Sequence, residues 1–246
     1  FKDVLGKTIP GLAENDPDVI YLDADLMSCI GTAKWGAAHP DKAINCGIAE
    51  ANMIGVAAGL ASQGLKPSCH TFGPFASRRC FDQVFLAAGY TGNDITVIGT
   101  DAGICAAFNG GTHMPFEDMA LYRAIPTATV IDIADANQLE SVLHQVSDIK
   151  GVKYIRCSRK SAAKVYADGE TVPVGKGVTL REGKDAVIFA TGIMIHEAFM
   201  AADILAKEGI EVAIVDMFTV KPLDKECALK YAKETGAVVT AENHNK

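Results

Sequence analysis

Strand-like and helix-like stretches alternate along the chain, and that alternation restricts it to a sheet flanked by helices. Short β-branched runs, "VIYLDAD" (19–25), "DITVIGTDAG" (94–103), "TATVIDIAD" (127–135) and "GVKYIRCSR" (151–159), each end in polar or glycine-bearing turns. In "DANQLESVLHQV", Asp135 stands at an N-cap position, and Leu139, Val142, Leu143 and Val146 recur at three- and four-residue spacing. The pattern predicts an α/β fold with a mostly parallel sheet and helices on both faces. Ligands of such sheets bind beyond the carboxyl ends of the strands. Chemistry is therefore expected at "LDADL", "CHTFGPF" and "GTDAGI".

Residues 161–178 break the rhythm with charge, Gly and Pro and read as a linker between domains 1–160 and 179–246. The pattern then restarts with "DAVIFATG", "MIHEAFMAADILAKEG", "IEVAIVDMF" and "GAVVTAEN". A three-strand α/β unit buries little surface alone, so the second domain is expected to be incomplete. The net charge of −7 argues against partners that present phosphates, such as nucleic acid or anionic membrane. Seven cysteines occur singly with no CxxC pair, which points to a reducing cytoplasm and not to disulfides or a zinc site. No apolar run approaches the roughly 20 residues that cross a bilayer.

The stretch "NCGIAEANMIGVAAGLASQG" (45–64) carries a single charge, Glu50. Gly47, Ala51, Gly55 and Gly59 fall at four-residue spacing, giving a helix a smooth side for close contact, such as one across a subunit interface. A carboxyl group losing water at such a contact is favoured in its neutral, proton-holding form.

"LDADL", "HPDKAINCGIAEANMIGVAAGLASQGLKPSCHTFGPF", "GGTHMPFEDMALYRAIP" and "VDMFTVKPLD" followed by "AENHN" resemble, in order and spacing, the C-terminal half of transketolases. The resemblance spans essentially the whole chain. It implies a pyrimidine-binding domain of the thiamine-diphosphate fold, followed by a transketolase C-terminal domain. The "GDG…N" motif that holds metal and diphosphate in the family is not in this sequence. The chain therefore resembles the second polypeptide of a transketolase encoded in two pieces. An N-terminal subunit would supply the diphosphate-binding domain with Mg2+ or Ca2+, and the expected assembly is a dimer or a heterotetramer.

By this resemblance Glu50 is the glutamate that protonates the aminopyrimidine ring nitrogen of thiamine diphosphate. Phe72 and Phe75 match aromatics lining the pyrimidine pocket, and Asp25 matches the aspartate of the "ADL" turn near the cofactor. His113 in "GGTHMPFED" matches a residue that approaches both cofactor and substrate. His70 lies close enough in sequence to reach the same pocket. Arg159 in "CSRK" matches an arginine that grips phosphate, and Arg78 or Arg79 is near the same funnel; a guanidinium also suits a sulfonate. Asp101 stands where ordinary transketolases carry a histidine, and Asn109 where they carry an aspartate that reads a donor hydroxyl. Both departures change charge at the donor end and suggest an unusual sugar or sugar phosphate.

Other readings remain open from sequence. Glu50 could instead begin an ordinary packed helix and pair with Lys42 or Arg79. A deoxyxylulose-phosphate synthase or a 2-oxo acid dehydrogenase beta subunit would share Glu50 but decarboxylate an oxo acid. A non-catalytic binding or regulatory module would keep the fold without the chemistry. No HxH, HExxH or acidic cluster has metal-ligand spacing, so no metal is assigned to this chain itself.

Overall fold

The structure is a computed structural model and describes residues 1–245. The strands are β1 (Val19–Asp23), β2 (Ala43–Asn45), β3 (Lys66–Phe72), β4 (Ile95–Thr100), β5 (Thr129–Asp132), β6 (Val152–Cys157), β7 (Val178–Arg181), β8 (Ala186–Ala190), β9 (Val212–Asp216), β10 (Thr219–Lys221) and β11 (Val238–Ala241). Seven of them form one sheet in the order β10-β5-β6-β4-β3-β1-β2, and four form a second in the order β11-β8-β9-β7. The large sheet is parallel except for β10, which pairs antiparallel with β5 through Thr219 opposite Ile131. In the small sheet only β7 runs against its neighbour. The mixed α/β architecture read from the sequence is the one observed.

Successive residues of each central strand serve opposite faces, as a period of two requires. Leu22, Val97, Val130 and Tyr154 pack with Met53, Ile54 and Ala57 of the helix Glu50–Ser62. Tyr21, Ile98, Ile131 and Ile155 pack with Leu5 and Ile9 of the helix Lys2–Asn15 and with Leu139 and Leu143 of the helix Ala136–Val146. Burying a side chain of this size is worth about 1.5–3 kcal/mol, so the two faces supply most of the drive to fold. Asp135 caps the helix Ala136–Val146 as expected, accepting the Gln138 N–H. Gly99 on β4 lies under the Tyr154 ring, where any Cβ would come within 2.5 Å of the phenol oxygen.

Residues 158–177 contain no helix or strand, yet they are tied down. Tyr166 and Val172 are buried in the second face's core, and Asp135 Oδ2 accepts the N–H groups of Val165 and Tyr166. The chain after β9 also returns to the large sheet as β10. A further tie is the buried Arg156, which donates to Asp118 (2.8 Å), Asp132 (3.2 Å) and the carbonyl oxygen of Asn243 (2.6 Å). Burial works against its charge, but Asp132 and Asp118 outweigh that and hold the guanidinium firmly protonated. Asp216, at the end of β9, accepts from Gln138 and Tyr166, while burial pushes its carboxyl up to about 7. Among the described residues no helix is long and apolar enough to cross a membrane.

Candidate active site

The turn between β2 and the next helix sets the position of Glu50. Asn45 Oδ1 accepts the N–H of Gly47, which has φ +70°, a left-handed conformation that favours glycine. Helix Glu50–Ser62 therefore begins at Glu50, and the expected helical stripe loses Gly47. Gly55 and Gly59 do lie on a smooth surface: a Cβ built on either meets nothing within 4 Å. Glu50 is 2 % exposed and sits in the helix's first turn, where the backbone dipoles favour an anion. Its Oε1 accepts from Arg79 Nη1 at 2.8 Å. The burial expected of Glu50 is present, but with a cation beside it.

Arg79 leads onward. Its guanidinium lies 3.8 Å over the Phe75 ring, placing the charge on the negative face of the π-system. Phe72 closes β3, and the turn Gly73–Ala76 brings Phe75 to 6.2 Å from it, centroid to centroid. Gly73 allows this turn to approach Pro115, whose ring a Cβ would meet at 2.6 Å. His113 faces both aromatics, at 5.2 Å from Phe75 and 5.8 Å from Phe72. Its Nδ1 is engaged with Thr112 Oγ1 at 2.9 Å. Arg78 ties down the loop that carries His113: it pairs with Glu117 at 3.2 Å and reaches the Gly111 and Thr112 carbonyl oxygens at 3.5 and 3.4 Å.

On the other side, Arg159 lies 4.9 Å over Phe72 and 3.3 Å from Asp101 Oδ1. Asp101 is buried at φ +65°, an unusual conformation for a residue with a Cβ. Burial pushes its carboxyl up, against the pull of Arg159, and its Oδ2 has no hydrogen-bond partner. Glu50, Arg79, Phe75, His113, Phe72, Arg159 and Asp101 thus form one contiguous run, collected from five separate stretches of sequence. A group of mutually tilted aromatic rings with a carboxyl at one edge suits a flat heterocycle such as an aminopyrimidine, and guanidinium groups beside it suit an anionic substituent.

Three expected residues lie apart from this run. His70, expected to reach the pocket, is fully buried between Asp23 (2.8 Å) and Thr100 (3.2 Å), with both ring nitrogens engaged. It is an internal link between neighbouring strands, set behind the run and not on its open surface. Asp25 is exposed at φ +66° and bonded to Asn45. Asn109 is exposed at the end of the turn Gly103–Asn109. The sequence reading left Arg78 and Arg79 undistinguished as substrate arginines and did not find Asp23, but of the two partners it named for Glu50, Lys42 and Arg79, the structure pairs it with Arg79. Among the described residues no three His, Cys, Asp or Glu side chains group as metal ligands.

Comparison with known proteins places these features in a family. Residues 1–164 match the model of the transketolase pyrimidine-binding domain, and residues 175–246 match that of the transketolase C-terminal domain. The 6-deoxy-6-sulfo-D-fructose transketolase subunit SqwH of Clostridium sp. (strain MSTE9) is 46% identical over 231 residues, which cover 94% of this chain and 72% of that protein. Human transketolase is 34% identical over 243 residues, covering 97% of this chain but 39% of the human protein. A solved structure described as a split-gene transketolase, an inactive β4 tetramer, superposes with a TM-score of 0.89 at 38% identity, covering 98% of this chain and 79% of that one.

Proposed function

Because the chain belongs to the transketolase family, we propose that it is the second subunit of a split transketolase, moving a two-carbon ketol unit from a ketose donor to an aldose acceptor. The observation that best supports this is the contiguous run from Glu50 to Asp101, which pairs a carboxyl-edged aromatic floor with an arginine-lined side. Thiamine diphosphate, when bound, supplies the reacting carbon and the electron sink for cleaving the donor's carbon–carbon bond. Phe72 and Phe75 would hold its pyrimidine, and Asp25, at the turn after β1, would approach the cofactor from outside the run. Glu50 would hold and exchange a proton with a ring nitrogen through Oε2, since Arg79 engages its Oε1. His113, with Nδ1 taken by Thr112, uses Nε2 for proton movement near the substrate. Arg159 and Arg78 receive an anionic end of the sugar, and Asp101 and Asn109 read the donor hydroxyls.

A partner chain brings the diphosphate domain with Mg2+ or Ca2+, in an assembly of two copies of each chain. Support comes from the open Gly55–Gly59 surface and from the neighbouring exposed Ile48, Leu86 and Tyr90, an apolar area suited to burial between chains. The relative described as a β4 tetramer shows that a similar chain self-associates.

A sulfonated ketose is a specific donor reading, favoured by the 46% identity to a subunit named for 6-deoxy-6-sulfo-D-fructose and by the guanidinium groups at the site. The test is reconstitution with the N-terminal subunit, thiamine diphosphate and magnesium, screening xylulose 5-phosphate, fructose 6-phosphate and 6-deoxy-6-sulfofructose as donors. Ketol transfer that Glu50→Ala reduces on the order of a hundredfold or more supports the proposal. Carbon dioxide release from pyruvate without ketol transfer, or transfer indifferent to Glu50→Ala, would sink it.

A further inference from the structure

At the opposite end of the large sheet, where β1, β3, β4 and β6 begin, lies a cavity of about 270 Å³. Helix Lys2–Asn15 walls it with Ile9 and Leu12, and helix Ala136–Val146 walls it with Leu143 and Val146. The sheet contributes Ser68, Thr96 and Lys153. Strand register makes these three direct neighbours across β3, β4 and β6, since Ser68 pairs with Thr96 and Thr96 with Lys153. Residues in register point the same way, so two hydroxyls and an ammonium form one polar row facing apolar walls.

The other charges around the cavity are matched. Lys66 pairs with Asp16 at 2.9 Å and Asp148 at 3.6 Å, and Lys150 pairs with Asp94 at 2.9 Å. Asp94 also accepts the Gly151 N–H at 2.6 Å. Lys153 is 2 % exposed, and among the described residues no carboxylate lies within ion-pairing distance of it. Burial lowers its ammonium to about 8, with Asp94 pulling the other way and Lys150 reinforcing the fall. A buried charge without a partner is expensive, and a bound counter-charge removes that expense.

We infer that this cavity binds a small aliphatic monocarboxylate, its carboxylate on Lys153, Thr96 and Ser68 and its carbon chain against Ile9, Leu12, Leu143 and Val146. Asp16 and Asp148 both pair with Lys66, so the charges around the cavity balance in sum, and it is the absence of a contact on the Lys153 ammonium that calls for a carboxylate. The apolar side chains of both helices favour an aliphatic tail over a sugar. At about 270 Å³ the cavity has room for an acid of roughly six to eight heavy atoms. The site lies across the sheet from the run of residues at Glu50, so a ligand here would not compete with cofactor or sugar.

Calorimetric titration of the full-length chain with hexanoate tests this. At about pH 7 a single saturable site is expected. Lys153→Met should weaken it at least tenfold and Thr96→Val by a smaller factor. Raising the pH to about 9.5 removes the Lys153 proton and should also weaken binding at least tenfold. The other charged groups around the cavity, Lys66, Lys150, Asp16, Asp94 and Asp148, are engaged with one another in ion pairs. No saturable binding to the unmodified chain would overturn the inference. So would equal affinity in folded Lys153→Met, or affinity unchanged at the higher pH.

Discussion

At the carboxyl end of the large sheet Arg79, Arg78 and Arg159 each pair with a carboxylate, in Glu50, Glu117 and Asp101, whereas at the amino end Lys153 has none within ion-pairing distance among the described residues. The first end is half open and floored with aromatic rings; the second is enclosed by two helices. Pairing at the open end keeps reactive groups in place at little energetic expense, and a ligand can trade for either partner. The enclosed end keeps a charge with no partner of its own, so stability and binding there pull in opposite directions. On the readings proposed above, the first end would work by exchange of ion-pair partners and the second by pairing Lys153 with a bound carboxylate.

The comparison is broken most directly at Glu50. Glu50→Gln keeps the shape and removes the ionisable proton. Ketol transfer by the reconstituted enzyme should fall on the order of a hundredfold or more, with circular dichroism unchanged. If the two ends differ as described, Lys153→Met should do the reverse and stabilise the fold, on the order of 1–3 kcal/mol near pH 7 by denaturant titration. The sign follows from proton uptake. Lys153 is lowered in the folded chain to about 8 from 10.5, so between those values the unfolded chain binds more protons and native stability rises with pH. The advantage of Lys153→Met is therefore full below about pH 8 and fades toward 10.5. Arg159→Met should raise KM for an anionic sugar on the order of tenfold with a smaller change in kcat, read in the steady state. The smallest effect is expected away from both ends. Tyr154→Phe removes the 2.7 Å bond to Asp118 and leaves the 3.9 Å stack on Tyr122, costing about 1 kcal/mol in thermal unfolding.

Much of this was legible in the sequence because it is written locally. The runs at 19–25, 94–103, 127–135 and 151–159 became β1, β4, β5 and β6, and Asp135 capped its helix. Glu50 stood out as the one charge in an apolar stretch, and Phe72, Phe75 and His113 do converge. Features that depend on distant pairing were hidden. β10 is three residues long and gains its place only by lying beside β5. Gly47 fits a helical period, yet its left-handed turn puts it outside the helix. Lys153 is one residue within the run 151–159, and only register with Thr96 and Ser68 gives it a setting. His70 drew attention by its neighbours in sequence, while its neighbours in space, Asp23 and Thr100, enclose it.

Asn243 accepts the Ile104 N–H and donates to the Ala102 carbonyl, each at 3.1 Å, while its own carbonyl holds Arg156. Residues from the far end of the chain thereby clasp the loop that follows Asp101. A protease nick in the irregular stretch 158–177 would cut one covalent thread and leave this clasp, the Asp216 bonds and the β10 pairing intact. The fragments should travel together through gel filtration, and two half-genes expressed side by side should reassemble into the same particle.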